Sequence, residues 1–230
     1  MSTKGPAFLR ARQPEQKQQR AEAILATARA LALRDGLGRV SLGGIAADVG
    51  LHKSALLTYF GTREEIFLRL AEGEWREWGA AVVAGLADAP GGDGPAYVAE
   101  ALARSLADRP LLCELLLHAS LTLERNVSLD AVRRFKAATT SALDDVGDAL
   151  HARLPALSRA ACHELLMAGG LVAGGLWQAS RPSPVVQEMY ADPALPPGLA
   201  RYAVADFADA LARFVRVHMA GITEVDGPAQ

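Results

Sequence analysis

Cysteine is nearly absent from this chain of 230 residues, which has only Cys113 and Cys162, both in apolar surroundings. Two thiols so far apart provide neither a disulfide framework nor a paired-cysteine metal signature. The N-terminus has no apolar core of the kind a secretory leader carries, so a reduced, cytoplasmic protein is expected. No apolar run reaches the ~18 to 20 residues of a membrane span. The longest, "LLMAGGLVAGGLW", is closed by Glu164 and Gln178, and no membrane partner is expected. Alternating β-branched stretches are few, which argues against a sheet. Catalytic signatures are missing as well: there is no phosphate loop, dinucleotide fingerprint or nucleophile elbow. Cys162 and His163, adjacent on a helix, point ~100° apart and cannot act as nucleophile and base. Cys113 and His118 lie five apart, off one face, and lack further zinc ligands. Neither an enzyme nor a bound metal or cofactor is expected.

What is present is a composition of 50% hydrophobic and 22% charged residues, that of a soluble globular protein long enough to bury a full core. Its charge is unevenly spread. Residues 1–70 hold eleven Lys and Arg against six Asp and Glu, whereas the rest holds thirteen against twenty. A basic N-terminal third on an acidic body suggests a polyanion partner for that third alone.

Apolar residues recur at three and four almost throughout. Ile24, Leu25, Ala28, Leu31 and Ala32 mark a first helix from about Glu15 to Arg34, stopped at Asp35-Gly36. Ser41 is placed to cap a short second helix, in which Leu42, Ile45, Ala46 and Val49 form one apolar stripe. Gly50 follows, where a sharp turn needs positive φ, and a third helix starts at about His52 or Lys53 and ends near Phe60-Gly61. Two short helices joined by a tight glycine turn make a helix-turn-helix. Leu56 and Phe60 face inward on the second of them, leaving Lys53, Ser54, Leu57 and Thr58 outward with His52 at the leading end. Short polar and cationic groups at that end are what enters a DNA major groove in this motif.

The block "IAADVGLHKSALLTYFGTREEIFLRL", preceded by "AILATARALALRDGLGRVSL", resembles the DNA-binding domain of the tetracycline-repressor (TetR) family of bacterial regulators over roughly residues 15 to 70. The resemblance implies DNA contacts from Lys53, from the Tyr59-Phe60 pair through the Tyr59 hydroxyl, and from Arg63, the basic residue opening the fourth helix. The full expected interface is Ser41, His52, Lys53, Ser54, Ala55, Leu57, Thr58, Tyr59 and Arg63. Arg63 in a first helical turn opposes the macrodipole, and a phosphate shared with the exposed amides there would explain it. Two positions depart from the family pattern: His52 replaces the usual Ser or Thr cap, and Leu57 replaces a tyrosine that touches phosphate. A basic arm over residues 1–14, continued by Lys17 and Arg20, is a further candidate for the minor groove or the phosphates.

The resemblance also implies the remainder: an all-α chain of about nine helices, with the helix-turn-helix domain at 15–62 and a helical effector-binding and dimerisation bundle at 63–230. Pro95 and Pro110 can open helices, Ser128 can cap one that ends before Pro155, and the last is expected over Leu199 to Met219. The span 181–198 reads as a proline-rich loop. Gly169, Gly170 and Gly174 sit inside an otherwise strong helix at ~1 kcal/mol each. With Ala173, Phe207, Leu211 and Phe214 they form the expected homodimer contact. Trp75, Trp78, Glu114, His118, Met167 and Trp177 are the candidate effector contacts. The function expected is a homodimeric repressor on a palindromic operator of double-stranded DNA, released by a small apolar effector. An effector-independent DNA-binding protein, or a dimeric small-molecule binder with decayed DNA contact, is the alternative.

Overall fold

The computed structural model describes residues 7–88, 94–196, 198–199 and 203–226, and these contain helices and no strand. The first unit is built from α1 (Ala7–Asp35), a 3-10 turn (Leu37–Arg39), α2 (Leu42–Asp48) and α3 (Lys53–Leu56). Gly36 adopts φ 83° after α1, and Gly50 adopts φ 66° between α2 and α3. The turns fall at these glycines because only a residue without Cβ enters that region cheaply. The Ser41 hydroxyl caps α2, accepting from the Gly44 amide at 3.0 Å. Gly43 and Gly44 make α2 weak on its own, and the burial of Ile45 and Ala46 stabilises it. Ile24, Ala28, Leu37, Ile45 and Leu56 close the small core, each at 0–1% exposure. Full burial of a leucine or isoleucine contributes ~1.5 to 3 kcal/mol.

The second unit consists of α4 (Arg63–Asp88), α5 (Pro95–Ala107), α6 (Pro110–His118), α7 (Leu129–Arg153), α8 (Arg159–Ala179), α9 (Pro184–Ala191) and α10 (Phe207–Asp226). A single wide π-type turn (Ala119–Leu123) extends α6. Pro95, Pro110 and Pro184 each open a helix, and the Ser128 and Ser158 hydroxyls cap α7 and α8. The most extensive contact is between α4 and α7; α5 lies on α10, and α8 packs against α6, α7 and α10. Two glycines let helix backbones come close. A Cβ at Gly79 of α4 would sit 3.0 Å from the Ala142 Cβ of α7, and one at Gly174 of α8 would sit 2.9 Å from the Leu117 amide.

Several extents differ from the sequence expectation. α1 starts at Ala7 and so takes in half of the expected arm. Ala, Leu, Arg and Gln favour helix, and Pro14 removes only the bond to the carbonyl one turn back. The expected arm residues 1–6 lie outside the described residues. The stretch 181–198 holds a helix, α9, opened by Ser183-Pro184. The final helix starts at Phe207 rather than Leu199, because the Asp206 carboxylate accepts from the Asp209 amide at 2.8 Å and caps it there. Helix α8 is, by length and composition, long and apolar enough to cross a bilayer despite Glu164. Its inner face, including Leu165, Ala173 and Trp177, belongs to the bundle core.

Candidate nucleic-acid interface and cavities

At the turn, the Leu51 amide donates to the Ala46 carbonyl at 2.8 Å and swings the chain into α3. His52 begins that helix with extended backbone, and its side chain makes no capping bond. The expected third helix is shorter than the sequence suggested. After Leu56 it continues as a tightened turn, with the Thr58 and Tyr59 amides bonding three residues back and the Phe60 amide reaching Leu56 at 3.2 Å. Leu56 is fully buried and Tyr59 and Phe60 pack half-buried on the core. His52, Lys53, Ser54, Leu57 and Thr58 are exposed, and Ala55 is half-buried behind them. The Thr58 hydroxyl donates to the Ala55 carbonyl at 2.7 Å, which keeps its oxygen available as an acceptor. Across a polar groove, Lys17 and Arg20 of α1 face Thr58 and Tyr59. Ser41 is exposed, with its oxygen engaged in the α2 cap.

Arg63 requires a correction. Its Nε donates to the Val40 carbonyl at 2.5 Å, Nη2 to the Leu37 carbonyl, and Nη1 to Glu64 at 3.1 Å. The guanidinium also lies 4.8 Å from the centre of the Phe67 ring. A planar fork of donors suits the carbonyls left open by the 3-10 turn, so Arg63 ties α4 to that turn instead of presenting a cation to phosphate. Sequence reasoning also missed a cap two residues away. Thr62 Oγ1 accepts from the Glu65 amide at 3.1 Å, while Glu65 accepts from the Gly61 amide at 3.0 Å, a variant of the Thr-x-x-Glu capping box in which the glutamate reaches the residue before the cap. The other Glu65 oxygen accepts from the Ser128 amide at 2.8 Å, bridging the end of the reading turn to the start of α7. These bonds, those from Ser128 above all, hold the Glu65 carboxyl below its ordinary pKa.

One buried carboxylate joins the two units and a second braces the bundle. Glu74, 3% exposed, pairs with Arg29 of α1, and Glu72, 1% exposed, pairs with Arg69, with Arg76 at 3.5 Å and with Arg134 of α7 at 3.6 Å. Buried carboxylates of this kind persist only when paired.

Among the described residues, two adjoining cavities in the bundle share Trp75, Leu116, Leu166 and Gly170 as walls. The smaller, about 30 Å³, lies against Trp78, Leu106 and Val215. The larger, about 150 Å³, lies between α4, α7, α8 and the π-type turn. Of the six candidate effector contacts, Trp75, Trp78 and Met167 are cavity walls. Glu114 and Trp177 are not: Trp177 Nε1 and Gln178 Nε2 donate to one Glu114 oxygen at 3.3 and 3.1 Å. Trp177 also stands edge-on to Phe207 at 5.1 Å and stacks with the Arg181 guanidinium. His118 lines neither cavity. The six candidates were chosen by residue type, and helical spacing gave no means of telling an inner wall from a neighbouring hydrogen-bonded cluster.

Residues 24–70 match the family model described as "Bacterial regulatory proteins, tetR family", and residues 72–225 match "Tetracyclin repressor-like, C-terminal domain". The chain belongs to the TetR family. It is a DNA-binding transcriptional regulator, of a family whose members bind DNA and small-molecule effectors, typically as dimers. Among solved structures, it is similar to the fatty acid degradation regulator FadR from Bacillus halodurans at 10% identity, covering 86% of this chain and 94% of that one with TM-score 0.52, a likeness of fold. It is also similar to a putative transcriptional regulator from Streptomyces coelicolor at 20% identity (90% and 98% covered, TM-score 0.42). A TetR-family regulator from Mesorhizobium loti aligns at 17% identity (91% and 97% covered, TM-score 0.40). No curated protein matches.

In this TetR-family chain the residues expected at the dimer contact mostly pack within one copy. Ala173, Phe207 and Leu211 are core, Gly169 is buried, Gly174 abuts Leu117, and Gly170 lines both cavities. Phe214 is half-buried and stacks on His218 at 5.4 Å. Among the glycines of α8, Gly174 serves close packing inside the subunit. What α8 and α10 leave outward is a different stripe, Met167, Leu171 and Gly175 on α8 and Val217 on α10, with Leu171 69% exposed. Burial pushes the Cys113 thiol up to about 12, and its Sγ donates to the Leu106 carbonyl at 3.2 Å, a state unsuited to nucleophilic chemistry.

Proposed function

We propose that this TetR-family regulator is a homodimeric repressor that reads a palindromic operator and releases it when a small apolar effector enters the bundle. The observation that carries this reading is the exposed Lys53, Ser54 and Thr58 face, presented by a rigid glycine turn opposite Lys17 and Arg20. Lys53, Lys17, Arg20 and the Tyr59 hydroxyl serve the phosphates, and Ser54 and Thr58 serve base edges. His52, Ala55 and Leu57 fill the space against the groove. Arg63 acts from behind, by fixing the turn. We place the reading unit at 15–62 and the effector and dimer unit at 63–230. The dimer forms through the outward stripe Met167, Leu171, Gly175 and Val217 with Phe214 at its edge. Large exposed apolar side chains on two adjacent helices favour a partner surface.

Both recognition elements enter successive major grooves only when they sit ~34 to 36 Å apart. An effector that prefers another spacing lowers operator affinity by linkage, and the operator lowers effector affinity equally. The test is a polarisation titration against the intergenic DNA beside the protein's own gene, at ~150 mM salt with excess nonspecific competitor. A saturable, competitor-resistant signal is expected. Equal affinity for every duplex, with one shared salt slope, would instead favour the effector-independent reading.

A further inference from the structure

The larger cavity holds three polar groups in an otherwise apolar wall, and their arrangement selects a ligand class. We infer that it takes a neutral, hydroxyl-bearing single aromatic ring, a phenol; this rests on reading the bundle as effector-binding. Size comes first: about 150 Å³ accommodates one benzene-sized ring, and this surface-open pocket, whose outer wall is the exposed Met167 and Leu171 of the outward stripe, measures about 150 Å³. Trp75, Phe135 and Leu166 supply walls against which a ring packs.

The polar groups are Glu124, Lys136 and Thr139. Lys136 Nζ donates to Glu124 Oε1 at 2.6 Å, an intact ion pair at the cavity edge. Thr139, one helical turn along α7 from Lys136, keeps its Oγ1 buried with no hydrogen-bond partner. A buried hydroxyl without a partner is costly, and in a cavity wall it is a bond in waiting for a ligand. The π-type turn that brings Ala119 to the cavity and sets Glu124 beside it is a helical irregularity of the kind that clusters at functional sites.

Charge decides among the candidate rings. An aromatic carboxylate would pair with Lys136 only by displacing Glu124 and then facing it, and an aromatic amine would meet the mirror-image penalty from Lys136. A phenolic hydroxyl both donates and accepts. It can donate to Glu124 and accept from Thr139 while the ion pair stays closed.

The experiment is calorimetric titration of the full-length protein with phenol, toluene, benzoate and benzylamine, alongside operator polarisation with and without phenol. Phenol is expected to bind saturably, at least tenfold tighter than any of the other three. Thr139→Val, nearly isosteric, is expected to weaken phenol several-fold and leave toluene unchanged. Lys136→Met, which frees Glu124, is expected to move the preference toward benzylamine. Benzoate, benzylamine or toluene binding as tightly as phenol, or phenol affinity unchanged in Thr139→Val, overturns the inference. If operator binding is specific but phenol does not bind, the ligand assignment fails and the regulator reading stands. Should specific DNA binding be missing, that reading fails, and the phenol titration still decides the ligand class.

Discussion

The two units of this chain are held together by different means. In the reading unit the apolar core is small, and polar ties to backbone do much of the positioning: the Ser41 cap, the Thr62 and Glu65 box, and Arg63 on the Leu37 and Val40 carbonyls. In the bundle, long helices approach through Gly79 and Gly174 and bury leucine and tryptophan, yet leave two cavities between them. A three-helix unit has too little apolar area to fix a turn to the tolerance a DNA groove demands, so directional bonds supply the precision. The bundle has area to spare and tolerates voids.

Arg63→Ala should separate the two units most sharply. It leaves two carbonyls without their charged donor, and we expect a loss of about 2 to 4 kcal/mol, read from the urea midpoint at unchanged slope. A stability equal to that of the parent protein would return Arg63 to the phosphate-contact role. Next, within α8 alone, Gly174→Ala should cost roughly 1 to 3 kcal/mol because the new methyl meets the Leu117 backbone. Gly169→Ala, with nothing within 4 Å of its Cβ, should gain up to about 1 kcal/mol from helix propensity. Equal effects, or effects in the opposite order, in thermal melts would mean that the α6 and α8 backbones do not meet there. Lys53→Ala should leave stability within about 0.5 kcal/mol while weakening operator and nonspecific DNA alike, about tenfold, and lowering the salt slope by about one. A polarisation series that leaves that slope intact would move Lys53 off the phosphates.

The smallest effect concerns pH. Because the folded protein lowers the Glu65 pKa, the bridge to Ser128 contributes stability above the ordinary carboxylate range. That contribution is lost as pH falls through the lowered value. Glu65→Gln should therefore be slightly less stable than the parent at neutral pH and converge with it in acid, by well under 1 kcal/mol in each case. Parallel acid limbs for the two proteins would remove Glu65 from the pH response.

Local signals were legible in the sequence because they are single-residue steric facts. Gly36 and Gly50 take positive φ, Ser41 and Ser128 cap helices, and Pro95 and Pro110 open them. What was not legible depends on which side of a helix meets what. The glycines of α8 announce a close approach without naming the neighbour, which turned out to be Leu117 of the same chain. Arg63 announces a charge without showing that the carbonyls of Leu37 and Val40 lie within reach, 26 and 23 residues earlier. The capping signal at Asp206 was present and would have fixed the start of α10 had it been weighed against the hydrophobic period.

Helix α4 is unbroken from Arg63, bound to the reading unit, through Trp75, the wall shared by both cavities. Twelve residues of α-helix make a rod of about 18 Å. The remaining thirteen residues to Asp88 add about 20 Å, so a ring that shifts Trp75 sideways by about 1 Å while the Asp88 end stays packed tilts the rod by about 3° and displaces the Arg63 end, about 39 Å from Asp88, by about 2 Å. On the proposed dimer and effector reading, leverage of that size, duplicated in a second copy, would change the gap between two reading heads by about a base-pair step, enough for one bound ring to put the pair out of register with the double helix.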